Sequence, residues 1–437
     1  MSSKNKIATE KEEAKPVPVP KLRFPEFKSA GDWTTQMLGA VATIRTEKAG
    51  DNICVPMSIT SGVGLVSQEE KFGRVIAGDS YKNYLLLKPN EFAYNKSSTK
   101  EYPEGFLTLY PGTELAAVPN SIFTCFRING DSPDVRFLNY QFSGNLHGRW
   151  LRKFIQVGAR AHGSLSINDN DLMALPVPVP TGKTSVAEQQ KIAECLSSVD
   201  ELIAAQARKV DALKTQKKGL IQQLFPREGE TQPRLRFPEF RNAGEWEETR
   251  LGQLGVLVSG LTYSPDDVRE SGLLVLRSSN VQQGEIALDD CVYVDASIKG
   301  ANLSQPNDIL ICVRNGSKAL IGKCALIPEG MPLCTHGAFM TVFRAQMPDF
   351  VFQLFQSDRY QRQVAGDLGA TINSINGSQL LKYEFSIPKP EEQLRIASCL
   401  SSLDAWISAE AQKLEAFKTH KKGLMQQLFP SPGEVDA

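Results

Sequence analysis

Glu188-Gln189, Ile192-Ala193, Cys195-Leu196-Ser197-Ser198, Asp200, Lys217-Lys218-Gly219-Leu220 and Gln222-Gln223-Leu224-Phe225-Pro226 punctuate one stretch of this chain. The same residues return as Glu392-Gln393, Ile396-Ala397, Cys399-Leu400-Ser401-Ser402, Asp404, Lys421-Lys422-Gly423-Leu424 and Gln426-Gln427-Leu428-Phe429-Pro430. The offset is 204 residues from Ile192 to Ile396 and holds to the end of the segment. In the first copy apolar residues fall at Ile192, Leu196, Val199, Ile203, Val210, Leu213, Leu220 and Leu224, interrupted at Gln206 and Lys217. In the second they fall at Ile396, Leu400, Leu403, Ile407, Leu414, Phe417, Leu424 and Leu428, interrupted at Glu410 and Lys421. Steps of four and three are the a/d seam of a heptad. Each copy predicts a helix of about 40 residues, or about 60 Å. Ser185 with Glu188 fits a capping box, Pro390 suits a first helical position, and Phe225-Pro226 and Phe429-Pro430 stop the helices.

Outside the helices a second motif is duplicated. Lys21-Leu22-Arg23-Phe24-Pro25-Glu26-Phe27, Trp33 and Leu38-Gly39 return as Arg234-Leu235-Arg236-Phe237-Pro238-Glu239-Phe240, Trp246 and Leu251-Gly252, 213 residues on. Between the markers, residues 40–185 and 253–387 share little that aligns, and the first insert is nine residues longer. Two copies with long, different inserts are not a solenoid, which stacks at least three short units. The order reads as a flexible N-terminal tail (1–20), a first domain (21–184), a helix (185–226), a linker (227–233), a second domain (234–387), a helix (388–430) and a C-terminal tail (431–437). The two helices either pack each on its own domain or pair with each other. Equal length, equal phase and matched polar interruptions favour an antiparallel coiled coil, a rigid spacer with a pseudo-two-fold internal repeat.

The inserts mix short β-rich runs, such as Ser121–Phe126, Asp308–Val313 and Phe339–Phe343, with Gly, Ser, Asn and Pro punctuation. Each also has one amphipathic stretch, near 136–157 and 349–364. The fold class is therefore α+β, with strands dominating.

Composition narrows the function. Of 437 residues, Lys+Arg and Asp+Glu number 49 each, so any polyanion surface must be local. The eight cysteines, Cys54, Cys125, Cys195, Cys291, Cys312, Cys324, Cys334 and Cys399, form no CxxC pair. The polar, Pro-rich N-terminus has no apolar signal core, and no run approaches the roughly 18 apolar residues that span a bilayer. Reduced core thiols, a cytoplasmic location and no membrane follow as expectations. No GxxxxGK[ST], HExxH or GxSxG stands in the chain, so no catalytic and no metal-binding residue is assigned.

Polar clusters stand beside the apolar runs. In the first insert they supply Tyr94, Asn95 and Lys96, then Arg160, His162 and Ser164. In the second they supply Arg277, Ser278 and Asn280, then Arg314, Asn315, Ser317 and Lys318, then His336, and then Asn373 and Asn376. Arg, Lys, Asn and Ser on loops are the types that contact phosphates and read base edges, although such clusters also make ordinary solvated turns.

Twin LRFPEF–Trp–LG motifs, twin EQ…IA…CLSS…D…KKGL-x-QQLFP helices and dissimilar inserts resemble the specificity subunits of type I restriction-modification systems. Asp308–Val313 with Arg314-Asn315-Gly316-Ser317, and Gly337-Ala338-Phe339-Met340, are similar to stretches of that family's target-recognition domains. The resemblance spans residues 21–430. It implies that each insert is a target-recognition domain reading one half of a split site in double-stranded DNA. It also implies that the helices set the gap and dock two methyltransferase subunits, and through them restriction subunits. No cofactor is then bound by this chain: S-adenosylmethionine, ATP and Mg belong to the partner subunits. Two rivals make different predictions. A scaffold that binds proteins would not touch DNA, and an enzyme would methylate alone.

Overall fold

The computed structural model describes residues 19–60, 63–155, 165–368 and 373–430. Two helices dominate, Ser185–Leu224 of 40 residues and Pro390–Leu428 of 39 residues. Pro390 opens the second, where its missing N–H costs no helical bond. The expected capping box at the first does not form. Arg23 grips the Glu188 carboxylate through Nε and Nη2 at 2.7 Å each, and Trp33 Nε1 donates to it at 3.3 Å. The Ser185 hydroxyl donates to the Pro180 carbonyl instead. That grip explains one duplicated motif: Arg236 holds Glu392 in the same fork, at 2.8 and 2.7 Å.

The chain forms two compact units. One runs to Ala205 and resumes at Leu414; the other is Gln206–Lys413. Each long helix therefore contributes to both units.

In the first unit a four-stranded antiparallel sheet has the order Ala42–Arg45, Phe123–Ile128, Phe92–Asn95, Phe106–Leu109. A second sheet has the order Gly64–Ser67, Val55–Thr60, Ala116–Val118, Leu85–Leu87, with its middle pair parallel. Trp33–Met37 pairs with Pro176–Pro180, the strand just before the long helix. The core stacks Phe92 on Phe126 at 5.1 Å, with Phe142 edge-on at 5.4 Å. Ile192 and Leu196 of the first long helix and Leu428 of the second close that core. Each such aliphatic burial contributes about 2 kcal/mol. Here the helices run antiparallel, with Lys421 Nζ 2.6 Å from Asp200. Leu22 N donates to the Gln427 carbonyl at 2.8 Å, which fastens the leading motif to the end of the second helix.

The second unit repeats the first sheet strand for strand, as Gly255–Ser259, Met340–Ala345, Ile309–Cys312, Cys324–Leu326. Its other sheet is Val268–Arg269, Val292–Val294, Leu273–Leu276, Cys334–His336, and Glu247–Arg250 pairs with Glu384–Ile387. Ile221, Leu224, Ile396 and Leu400 of the long helices enter the core with Phe343, Phe355 and Tyr360. Leu235 N donates to the Gln223 carbonyl at 2.9 Å, the counterpart of the Leu22 bond.

Every apolar seam position is buried or half-buried. The polar interruptions meet polar groups. Gln206 Nε2 donates to the Glu410 carbonyl at 2.9 Å and to its carboxylate at 2.6 Å. Lys217 Nζ donates to Asp404 at 2.7 Å and to Gln356 Oε1 at 2.7 Å. Desolvation pulls the Lys217 ammonium down, and Asp404 opposes that pull. Glu410, held by Gln206, Lys209 and Trp406, is pulled down to about 2.

Two expectations change. The single amphipathic stretch near 136–157 is two helices, Val135–Ser143 and Leu146–Leu151. Gly144 ends the first with its N–H on the Tyr140 carbonyl, and Asn145 at φ +63° turns the chain. The stretch near 349–364 likewise splits into Pro348–Leu354 and Asp358–Asp367, the second capped by Ser357.

Candidate nucleic-acid interface

Strand ends of the second unit bring four of the polar clusters together. Ile309–Cys312 exits into Val313 and Arg314, whose N–H groups both reach the Phe339 carbonyl at 3.0 Å. Ile375 N donates to the Val313 carbonyl at 2.8 Å, and Arg314 bridges Ser374. Asn315 ties this exit to the next loop, its Nδ2 donating to Ser278 Oγ at 3.0 Å while its Oδ1 accepts from Ser317 N at 2.9 Å. Asn373 Nδ2 donates to the Gly316 carbonyl at 3.3 Å. Arg277, beside Ser278, forms an ion pair with Asp290 at 2.7 Å. Its Nε, and Asn373 Oδ1, are buried with no hydrogen-bond partner among the described residues. These tied loops, with the Arg314 guanidinium exposed among them, form a surface able to donate hydrogen bonds to a ligand.

The first unit builds the same bracket. Phe92–Asn95 exits into Lys96, whose N–H donates to the Ile122 carbonyl at 2.8 Å and whose carbonyl accepts from Leu165 N at 2.7 Å. Asn95 Oδ1 accepts from Ser97 N at 2.8 Å, as Asn315 Oδ1 does from Ser317 N. By these bonds Lys96 corresponds to Val313, Ser97 to Arg314, Ile122 to Phe339 and Leu165 to Ile375. Lys96 Nζ lies 3.6 Å from Asp169, which also accepts from Thr124 Oγ1 at 2.8 Å. Arg160, His162 and Ser164 lie outside the described residues.

Three expected contact residues are corrected. Tyr94 is fully buried, its hydroxyl donating to the Glu104 carbonyl at 2.7 Å, and burial raises its pKa. Asn280 is fully buried, with Nδ2 on the Ala287 and Asp290 carbonyls and Oδ1 accepting from Arg277 N. His336 is no loop residue: it ends the strand Cys334–His336, fully buried, with Nε2 donating to the Val258 carbonyl at 2.9 Å and Nδ1 3.2 Å from Ser304 Oγ. Burial lowers its pKa. Each of the three is spent on the fold. Asn95 is buried and turns the backbone, while Asn376 is exposed and caps the helix Gly377–Leu380. Arg314, Ser317 and Lys318 are exposed, and Lys96, Arg277, Ser278, Asn315 and Asn373 half-exposed.

One residue of this surface lay among the apolar runs and was not picked out as a contact. Phe339, in the turn Gly337–Met340, is 59% exposed, with the Arg314 guanidinium 5.7 Å from its ring centroid. Among the described residues no helix is long and apolar enough to cross a membrane.

The chain is similar in sequence and in fold to known proteins. Residues 243–419 match the family model described as Type I restriction modification DNA specificity domain. The chain is 27% identical over 180 residues to the type I restriction enzyme StySPI specificity subunit of Salmonella potsdam, covering 39% of this chain and 38% of that relative. It is 25% identical over 287 residues to the MjaVIII specificity subunit of Methanocaldococcus jannaschii, covering 63% and 66%. The aligned part thus spans well under half of the first of these relatives and about two thirds of the second. In fold, the chain is similar to the S subunit of a type I restriction-modification system from M. genitalium, with TM-score 0.53, 14% identity and coverage of 94% and 99%. A chain solved in work on complex assembly and conformational transition of the type I R-M system gives TM-score 0.53 and 16% identity, covering 92% and 98%. With the duplicated helices and matched inserts, these likenesses point one way: residues 243–419 match a type I restriction modification DNA specificity domain, and the chain is similar to type I restriction-modification specificity subunits.

Proposed function

We propose that the chain is the sequence-reading, non-catalytic subunit of a type I restriction-modification complex, and that its two inserts are target-recognition domains for an asymmetric, bipartite DNA site. One observation carries the reading: the two inserts share a strand order and a strand-exit bracket, yet hold different side chains at corresponding positions of the bracket, exposed in the second unit and half-buried in the first. Arg314 and Phe339 in one stand where Ser97 and Ile122 stand in the other. A common frame with unlike contact residues suits two readers of two different half-sites. Exposed Arg and Lys neutralise phosphates, while Arg, Asn and Ser read base edges.

The long helices act as an antiparallel coiled-coil spacer in a pseudo-two-fold frame. They fix the gap between half-sites and dock two methyltransferase subunits, with restriction subunits joining through them. Pairing of Gln206 with Glu410, the same repeat position in both copies, supports this, because equivalent residues meet where a two-fold relates two helices. S-adenosylmethionine, ATP and Mg are used by the partners, and the chain works in the cytoplasm.

Mapping of methylated adenines in a strain carrying the system tests the reading. The expected motif is two unlike half-sites around a fixed gap; a continuous or perfectly palindromic motif overturns it. Inserting one heptad within 188–224 should change the gap or abolish assembly and leave the half-sites alone. Binding of the reconstituted complex to its specific duplex should fall steeply with salt, whereas a protein scaffold would show no specific duplex affinity.

A further inference from the structure

We propose that Arg314 and Phe339 form a single base-step reader in the second unit, the guanidinium bonding to O6 and N7 of a guanine and the phenyl ring packing on the 5-methyl of an adjoining thymine. The proposal rests on the DNA-reading assignment above and goes beyond it by naming two side chains and the step that they recognise.

Four backbone hydrogen bonds tie down the turn that carries Phe339. Ala338 N donates to the Leu261 carbonyl at 2.9 Å, Met340 N to the Gly337 carbonyl at 2.8 Å, and the Phe339 carbonyl takes two N–H groups. On this turn a large apolar side chain stands 59% exposed and contributes little to the core. Arg314 forms no ion pair among the described residues, unlike Arg277, which is held by Asp290. A guanidinium lying over an aromatic face is flattened and oriented, so less freedom is lost when its fork engages a guanine edge bidentately. The thymine methyl is the one apolar feature on the major-groove edge of a base pair, and an exposed phenyl ring beside the fork is suited to meet it. Ser97 and Ile122, at the corresponding places in the first unit, offer neither a cation nor a ring, so this contact belongs to the second half-site alone.

The test uses the full chain reconstituted with its methyltransferase subunits on duplexes carrying its own methylation motif. Each guanine is replaced in turn by 7-deazaguanine, and each thymine by deoxyuracil. At one guanine of one half-site the unmodified protein should lose affinity roughly 10–150-fold, the worth of the one charged hydrogen bond to N7 that the analogue removes. At the neighbouring thymine it should lose roughly fourfold, the worth of one buried methyl group. Arg314→Ala removes every donor at this place and should be blind to the deazaguanine. Phe339→Ala should be blind to the deoxyuracil. The other half-site should respond as before in both variants. Base analogues probe the unaltered protein, so misfolding of a variant does not mask the result. The pair is overturned if no guanine–thymine step shows the two losses, or if both variants keep the unmodified protein's pattern. Equal affinity of the unmodified complex for specific and random duplexes would overturn the DNA-reading assignment itself, a separate failure.

Discussion

The two inserts reach one architecture from sequences that do not align, and what they share is sparse. Both begin their third sheet strand after a left-handed glycine turn, Gly105 at φ +85° and Gly322 at φ +82°. A Cβ on Gly105 would lie 2.4 Å from the Asn95 carbonyl oxygen, and one on Gly322 would lie 2.9 Å from Val364, so neither position admits a side chain without movement. Both turns have their carbonyl capped from the same following helix, yet by different chemistry. His147 Nε2 donates to Gly105 at 3.3 Å, and the Tyr360 hydroxyl donates to Gly322 at 3.1 Å. An asparagine turns each strand exit, and two backbone bonds bracket it. The comparison teaches that a handful of backbone constraints hold the frame, so side chains outside them can diverge to read different things.

The largest expected contrast lies on the long helices. Lys217 and Lys421 are repeat equivalents, each paired with the equivalent aspartate, but the Lys217 side chain is 8% exposed and that of Lys421 22%. Asp404→Ala strands a buried ammonium with only Gln356 beside it and should cost about 3–5 kcal/mol in urea unfolding. Asp200→Ala should cost about 1 kcal/mol, as expected for a solvated pair. Equal costs would show that burial does not set the difference.

Next comes His147 against Tyr360. Burial pushes the His147 imidazole down to about 4, from an ordinary value near 6.5. Above pH 6.5 folded and unfolded forms are both neutral, and the stability it permits is complete. As pH falls towards 4 the unfolded imidazole takes a proton that the folded one refuses, so the first unit loses on the order of 3 kcal/mol. Tyr360, held well above its ordinary value by burial, brings no such loss to the second unit, where His336, whose pKa burial also lowers, is the group that costs stability as pH falls. Hydrogen exchange at Phe106–Leu109 and Cys324–Leu326 between pH 7 and 4 reads the two units separately. His147→Gln should flatten the first profile, and an unchanged profile would remove the histidine as its cause.

The smallest contrast concerns the arginine forks. Glu188 and Glu392 are both buried, but Glu188 has a second donor in Trp33 Nε1, whereas Trp246 Nε1 has no partner among the described residues. Arg236→Ala should therefore destabilise more than Arg23→Ala, by about 1 kcal/mol, the worth of an ordinary hydrogen bond, since the Trp33 bond is long at 3.3 Å. Thermal or urea denaturation of the two variants measures it.

The helices were legible because a seam repeated in phase is a property of spacing alone. Gln206, Lys217, Glu410 and Lys421 stood out as interruptions, but their partners depend on which helix lies opposite, and Asp200 and Asp404 carried no mark of that role. The common sheet order was invisible, since it rests on backbone bonds that many sequences satisfy. Tyr94, Asn280 and His336 have the polar tips of contact residues, and each tip proved to be satisfying a buried carbonyl or amide nearby. Phe339 showed the reverse: its apolar type put it in a β-rich run, and in the structure it stands 59% exposed in the turn before that strand.

One consequence concerns synthesis. The core of the first unit closes on Leu428, and its leading motif bonds to Gln427, some 250 residues after the insert's last strand. At about 5–20 residues per second, a ribosome takes roughly 10–50 s to supply that helix end. Until then Ile192, Leu196 and Phe137 have one side uncovered. The first insert to emerge is thus among the last parts of the chain to be completed, and a nascent chain stalled before Leu414 leaves it with an open face for a chaperone or for aggregation.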